Sequence, residues 1–268
     1  MIIANREFDL NKTHIMGILN VTPDSFSDGG KYNTIDMAIK HTEEMIADGA
    51  AIIDVGGEST RPGYTKISDE EEIDRVVPVI EKIKAQFDIP VSIDTYKSVV
   101  AKAAIEAGAD ILNDIWGLKA DKNMAQVVKD TNAFCVIMHN RENTDYSNFV
   151  EDMLSDLRES VDIALNSGIE KEKIILDPGV GFAKSFENNL SAIKHVERLK
   201  ELGYPVLLAT SNKSVIGLAL DLPKEERLEG TMATSAIAVM KGCSFVRVHN
   251  VKANKRIIDM MEAILAAE

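Results

Sequence analysis

Apolar residues in this chain fall into eight short continuous runs. Between them lie longer stretches in which apolar positions recur at the spacing of an amphipathic helix. The runs span residues 15–19, 52–55, 91–93, 111–112, 134–138, 174–176, 206–209 and 245–248. Continuous rather than alternating apolar character predicts parallel strands buried on both faces. The helical patterns span residues 35–48, 69–86, 98–107, 124–129, 149–166, 190–202, 228–240 and 254–266. Ser68 followed by Glu71 makes a capping box at the second of these. Gly49, Gly108, Gly168, Gly203 and Gly242 each close a helical pattern just before the next strand, where a left-handed stop is expected.

Each apolar run ends on or beside a polar residue: Asn20, Asp54, Asp94, Asn113, His139, Asp177, Ser211 and Arg247. A strand that needed only to be buried would gain nothing from such an ending. Eight of them predict an α/β fold of one domain, a (β/α)8 TIM barrel whose strand ends meet around a single site. The repeat averages about 33 residues, near the size of a βαβ unit. The alternative is an open doubly wound sheet, which often carries a glycine-rich nucleotide loop after its first strand. Gly29 and Gly30 stand in that loop, but without the G-x-G-x-x-G pattern, which favours the barrel. Residues 1–12 precede the first strand and are read as an N-terminal cap on the bottom of the barrel.

Charge narrows the choice of partner. The 268 residues carry a net charge of −13, which argues against nucleic acid, since phosphate backbones are bound by basic stripes. An anionic small molecule would need a local cationic pocket. Cys135 and Cys243 lie in or beside apolar runs, without C-x-x-C, and are read as buried thiols rather than a zinc or redox site. No apolar run approaches the ~18 residues of a membrane span, and residues 1–10 lack a signal-peptide core. No membrane partner and a cytoplasmic location are expected.

The loops after the first two strands hold the densest chemistry. One reads Asn20-Val21-Thr22-Pro23-Asp24-Ser25-Phe26-Ser27-Asp28-Gly29-Gly30, the other Gly56-Gly57-Glu58-Ser59-Thr60-Arg61-Pro62-Gly63. Small hydroxyl residues and glycine suit segments that fold over a substrate. With Gly17-Ile18-Leu19 before the first and Asp54-Val55 before the second, these stretches closely resemble the two signatures of the dihydropteroate synthase family. The resemblance continues through Ser92-Ile93-Asp94-Thr95, Asn113-Asp114, Asp177-Pro178-Gly179-Val180-Gly181-Phe182, Lys213-Ser214, Ile216-Gly217 and Arg247-Val248-His249, nearly the whole chain in order.

The resemblance implies a barrel enzyme of folate synthesis. It would condense 6-hydroxymethyl-dihydropterin pyrophosphate with p-aminobenzoate, releasing pyrophosphate by an SN1-like displacement. It also implies Mg²⁺ as cofactor, a homodimer and sensitivity of the family to sulfonamides. Asp177, Asn113 and Asp94 would bind the pterin edge, with Ile115 and Met138 in contact and Lys213 and Arg247 beside the ring. Thr60, Arg61, Arg247 and His249 would hold pyrophosphate, with Asn20 as magnesium ligand. Thr60, Pro62, Phe182, Lys213 and Ser214 would frame p-aminobenzoate. Asp28 would engage Lys213 as the first loop closes. Asp28, Arg61, Lys213, Arg247 and His249 would thus carry catalysis, with no general base. The helices at 228–240 and 254–266 carry Met and Ala faces that suit either a subunit contact or the core.

Three departures stand out. The family's usual Ser-Arg-Lys reads Ser211-Asn212-Lys213, the acid usual after Arg-Val-His is Asn250, and His139-Asn140-Arg141-Glu142-Asn143 replaces a commoner Met-rich continuation. A pterin-dependent methyltransferase and a non-catalytic pterin-binding paralogue are the competing readings. His41 and His195 are read as surface residues, His14 as lying at the barrel's bottom, His139 as lying near its mouth and Trp116 as a loop-packing aromatic.

Overall fold

Within each strand, side chains alternate between two destinations, and this alternation builds both the core and the site. In a computed structural model, which describes residues 1–22, 31–58 and 66–267, eight parallel strands form one sheet. They are β3 (His14–Asn20), β4 (Ile52–Gly56), β5 (Val91–Asp94), β6 (Ile111–Asp114), β7 (Phe134–Met138), β8 (Ile174–Asp177), β9 (Leu207–Leu208) and β10 (Phe245–Val248). Their order is β8-β7-β6-β5-β4-β3-β10-β9. The ring closes where Leu176 pairs with Val206 and the Leu176 N–H donates to the Pro205 carbonyl at 2.9 Å. The fold is a TIM barrel.

Around the strands lie α1 (Lys31–Ala47), α2 (Asp69–Gln86), α3 (Ser98–Glu106), α4 (Met124–Thr131), α5 (Phe149–Asn166), α6 (Phe186–Lys194), α7 (Ser214–Leu220), α8 (Leu228–Met240) and α9 (Val251–Leu265). Outward-facing strand residues such as Ile53, Val55, Ile93, Leu112, Ile137 and Leu176 pack with helical Val76, Ile80, Ile83, Val100 and Leu157 in the larger hydrophobic cluster. Burying each such side chain contributes roughly 1.5–3 kcal/mol. Cys135 and Cys243 belong to this cluster, and burial pushes each thiol up to about 12.

The inward set is different. Met16, Ile52, Ile111, Val136, Ile175, Leu207 and Phe245 form a second, smaller cluster that fills the barrel. Ile3 and Phe8 join it, delivered by an antiparallel hairpin of β1 (Ile2–Ile3) and β2 (Arg6–Glu7). His14 stacks edge-on to Phe8, with ring centroids 5.0 Å apart. Two residues beyond Ile52, Ile111, Ile175 and Phe245 the same inward face turns polar, at Asp54, Asn113, Asp177 and Arg247, and Asp94 joins them from β5. The apolar layer closes one end of the barrel and the polar layer lines the other.

The element pattern holds, with α1 and α9 starting earlier than expected, at Lys31 and Val251, and with larger changes around α6, β9 and α7. A single helix expected over 190–202 is α6, starting earlier at Phe186, followed by a 3-10 helix at Val196–Leu202. Ser185 sets the earlier start by accepting the Asn188 N–H at 3.1 Å. The strand expected over 206–209 is only Leu207–Leu208, and α7 is an additional short helix. The five glycines read as helix stops have φ between 68° and 113°. Among the described residues, no helix is long and apolar enough to cross a membrane.

Candidate active site

The centre of the polar layer is Arg247, the third residue of β10. Its Nε donates to Asp54 Oδ2 at 2.5 Å and its Nη2 to Asp94 Oδ2 at 2.5 Å. Asn113 Nδ2 lies 3.4 Å from the same Asp54 oxygen. Asp54 and Asp94 are buried, so the guanidinium offsets charges that would otherwise stand desolvated. Burial lifts Asp94 to about 7, with Arg247 pulling it back and Asp54 pushing it further up. Burial also weakens the Arg247 cation, but Asp54 and Asp94 outweigh that and hold its pKa above the usual arginine value.

The second carboxylate oxygens of Asp54 and Asp94, and the hydroxyl of Ser92, are buried with no hydrogen-bond partner among the described residues. Orphaned acceptors of this kind are costly unless a ligand supplies donors. Asp177, at the end of β8, accepts the Gly179 N–H on Oδ1 at 2.7 Å. Burial raises its pKa, opposed first by Lys213. Ile115 and Met138 are buried just past β6 and at the end of β7.

Lys213 immediately precedes α7. Its ammonium donates to the Val180 carbonyl and lies 5.0 Å from the centroid of the Phe182 ring. Burial lowers it to about 8, while Asp177 pulls it back up. Ser214, the first residue of α7, is exposed. On the neighbouring strand end, Ser211 Oγ is 2.9 Å from His249 Nδ1 and accepts the His249 N–H at 3.1 Å. Asn20 is half-buried at the end of β3, in register with Gly56.

Asn212 takes the left-handed conformation, φ 56°, which asparagine tolerates better than arginine. Its N–H donates to Thr231 Oγ1 at 3.1 Å, and its carbonyl accepts from Arg227 Nη1 at 3.1 Å. A guanidinium from just before α8 therefore sits against this turn. It also covers Gly217, where any side chain would overlap it.

Asp24, Asp28, Thr60, Arg61 and Pro62 lie outside the described residues. The residues flanking the second loop are firmly tied. Glu58 Oε2 accepts from the Ile67 N–H at 2.8 Å and from Lys97 Nζ at 2.9 Å, and Glu58 Oε1 from Tyr96 OH at 2.7 Å. Lys97 also donates to the Ile67 carbonyl at 2.9 Å and pairs with Glu72 at 2.8 Å. Asp54 was legible only as a polar strand end, because its role depends on a partner 193 residues away. A cavity of about 1180 Å³ lies beside the mouth, lined by Tyr96, Trp116, Lys119, Asn140 and Arg141 among others; Asp94, Asp177, Lys213 and Arg247 are not in its wall.

The chain matches the family model described as pterin binding enzyme over residues 16–249. It is 61% identical over 267 residues to a dihydropteroate synthase of Clostridium beijerinckii, covering 99% of each chain. It is 56% identical over 254 residues to that of Bacillus subtilis, covering 95% of this chain and 89% of the other. Among solved structures, the dihydropteroate synthase of Clostridium difficile in the presence of pteroic acid superposes with a TM-score of 0.93 at 50% identity, covering 96% and 98% of the two chains. The Xanthomonas albilineans enzyme with 4-aminobenzoic acid gives 0.94 at 39% identity, covering 99% and 98%. The chain belongs to the pterin binding enzyme family and, within it, to the dihydropteroate synthases.

Proposed function

We propose that the mouth of this barrel condenses 6-hydroxymethyl-7,8-dihydropterin pyrophosphate with p-aminobenzoate, forming 7,8-dihydropteroate and pyrophosphate. The observation that carries this reading is the set of buried, unpartnered acceptors on Asp54 and Asp94 beside a fixed guanidinium. A pterin presents an amino-pyrimidinone edge rich in N–H donors, which Asp94, Asp177 and Asn113 can accept and complete. Ile115 and Met138 offer apolar contact. Arg247 commits Nε and Nη2 to carboxylates, which leaves its planar face to stack on the ring.

The carbon–oxygen bond to pyrophosphate breaks with its electron pair leaving on oxygen. The cationic methylene left behind is conjugated with the ring, and the amine of p-aminobenzoate attacks it in an SN1-like displacement. That amine is largely unprotonated at neutral pH, so no general base is assigned, and the proton is lost to solvent after the new carbon–nitrogen bond forms. Thr60, Arg61, Arg247 and His249 would hold the pyrophosphate against an acidic bulk charge. Thr60, Pro62, Phe182, Lys213 and Ser214 would frame p-aminobenzoate, with Asp28 engaging Lys213.

Asn20 offers one neutral carboxamide oxygen, and Gly56 leaves room beside it: a side-chain carbon there would come within 3.7 Å. Magnesium fits so sparse a donor set because it keeps several waters and takes phosphate ligands. Among the described residues, no group of three or more His, Cys, Asp or Glu side chains offers a metal site. When bound, the ion would neutralise charge developing on the leaving pyrophosphate.

A homodimer is supported by exposed apolar side chains on three successive helices: Leu218 and Leu220 of α7, Met240 of α8, and Met260 and Ile264 of α9. We place the enzyme in the cytoplasm, consistent with two buried free thiols. The test is pyrophosphate release by purified protein with Mg²⁺, pterin pyrophosphate and p-aminobenzoate, omitting each in turn. Release that requires all three and yields dihydropteroate is expected. Pterin binding without that release would favour a non-catalytic paralogue and make Asn212→Arg the first variant to try.

A further inference from the structure

A second buried polar cluster lies beside the pterin site, between the ends of β7 and β8. Lys184 Nζ is 2.8 Å from His139 Nδ1 and donates to the carbonyls of Gly179 and Phe182, each at 2.9 Å. Burial pulls Lys184 down to about 7, with Asp177 drawing it back up; as an ammonium it has only donors, so His139 Nδ1 then accepts and its proton sits on Nε2. Nε2 then donates to Asp156 Oδ2 at 2.9 Å. Arg141 holds the same carboxylate, with Nη2 3.2 Å from Oδ1. With Lys184 protonated, His139 is a neutral bridge between a cation and an anion. Burial, its largest influence, lowers it to about 4, which agrees with that state.

These bonds converge on one loop. Gly179 has φ 66°, and any side chain there would overlap the His139 carbonyl oxygen. Tyr146 OH donates to the Ala183 carbonyl at 2.8 Å, fixing the loop's far end. The Val180 carbonyl and the Phe182 ring, both carried by this loop, are what Lys213 touches. The stem of Lys213 runs over Gly181, where a side-chain carbon would lie 3.2 Å from its Cδ.

We propose that Lys184, seated on neutral His139, is a positioning residue that sets the 179–182 loop against Lys213 and so shapes the p-aminobenzoate side of the site. Lys184 makes its three short contacts within the protein and acts on the substrate only through Phe182 and Val180. The proposal rests on Phe182 and Lys213 framing p-aminobenzoate. Arg247, Asp54, Asp94 and Asn113 have no bond to this cluster, and Asp177 meets it only through backbone groups, its Oδ1 accepting the Gly179 N–H at 2.7 Å and its carbonyl the His139 N–H at 2.9 Å, so the larger effect falls on the p-aminobenzoate side.

The experiment is steady-state kinetics of the full chain, varying each substrate, together with pterin affinity by calorimetry. Lys184→Met should raise KM for p-aminobenzoate about tenfold with a smaller change in kcat, and leave pterin affinity within about twofold. Two histidine variants sharpen the test. Asparagine can return an acceptor near the Nδ1 position, whereas glutamine reaches the Nε2 position and leaves Lys184 without one. His139→Gln should therefore mimic Lys184→Met, and His139→Asn should recover much of the loss. Unchanged KM for p-aminobenzoate in folded Lys184→Met, or parallel loss of both substrates, would overturn the proposal. Phe182→Ala is the control on the underlying reading: an unchanged KM there would overturn the placement of p-aminobenzoate itself.

Discussion

Arg247 Nη2 and Asp94 Oδ2 stand 2.5 Å apart at the barrel mouth, although 153 residues separate them in the chain. The pair, with Asp54 on the other side of the guanidinium, ties the last strand of the barrel to strands β4 and β5. It also sets how the site responds to protons.

Asp94 is lifted to about 7 mainly by burial. A protonated carboxyl accepts pterin N–H groups poorly, so pterin affinity should weaken as pH falls from about 8 to about 6. Stability should run the other way. The folded pKa lies above the ordinary 3.8, so the contribution is full below about pH 4 and is lost as pH rises through about 7. Asp94→Asn should flatten both dependences. Calorimetric titrations and urea midpoints across this range check them, and an identical slope in the variant would assign the titration to another group.

On the proposed reading, Asp177→Asn converts an acceptor-only group into a mixed donor and acceptor opposite pterin N–H groups. Affinity for a phosphate-free pterin should fall by about 100-fold, since an unpaired buried donor costs roughly 1–3 kcal/mol. Equal affinity of variant and parent in calorimetry would remove Asp177 from the pterin edge.

Arg247→Met leaves Asp54 and Asp94 buried without their cation. Breaking such a buried pair costs roughly 3–5 kcal/mol, so the loss of stability near pH 8 should be of that order. It should shrink near pH 5, where Asp94, lifted to about 7, is protonated and its repulsion with Asp54 disappears. Urea unfolding at both pH values measures this. A pH-independent loss would mean that Arg247 contributes packing rather than charge.

Leu218 is 68% exposed on α7, and α7 packs against α8, which packs against α9. On the proposed homodimer, Leu218→Glu with Met260→Glu should shift sedimentation from dimer to monomer without lowering pterin affinity. A parent protein that sediments as a monomer at high concentration would refute the dimer.

Much of the architecture was legible along the chain because strand burial is a local pattern. The run at 174–176 followed by Asp177 already states that the strand turns polar at its end, two residues beyond inward-facing Ile175. The extra helix α7 escaped because seven residues interrupted by Gly217 carry too little helical period. It is braced instead by Arg227, which lies over that glycine from just before α8. The early start of α6 was missed because Ser185 caps a turn that lies outside the apolar pattern.

By itself the sequence determined the eight-strand repeat, the polar strand ends and the family's signature residues, since each depends on neighbours two to four positions apart. Tertiary structure alone decided which of those residues meet. Barrel closure brings Arg247 between Asp54 and Asp94, and the β8–α6 loop brings Lys184 to His139 and Phe182 to Lys213. Those contacts follow from strand stagger and loop packing across the ring, which residue spacing does not encode. The protonation of Asp94 and Lys213 was decided at the same level, because burial and a distant countercharge, rather than the residue type, set it.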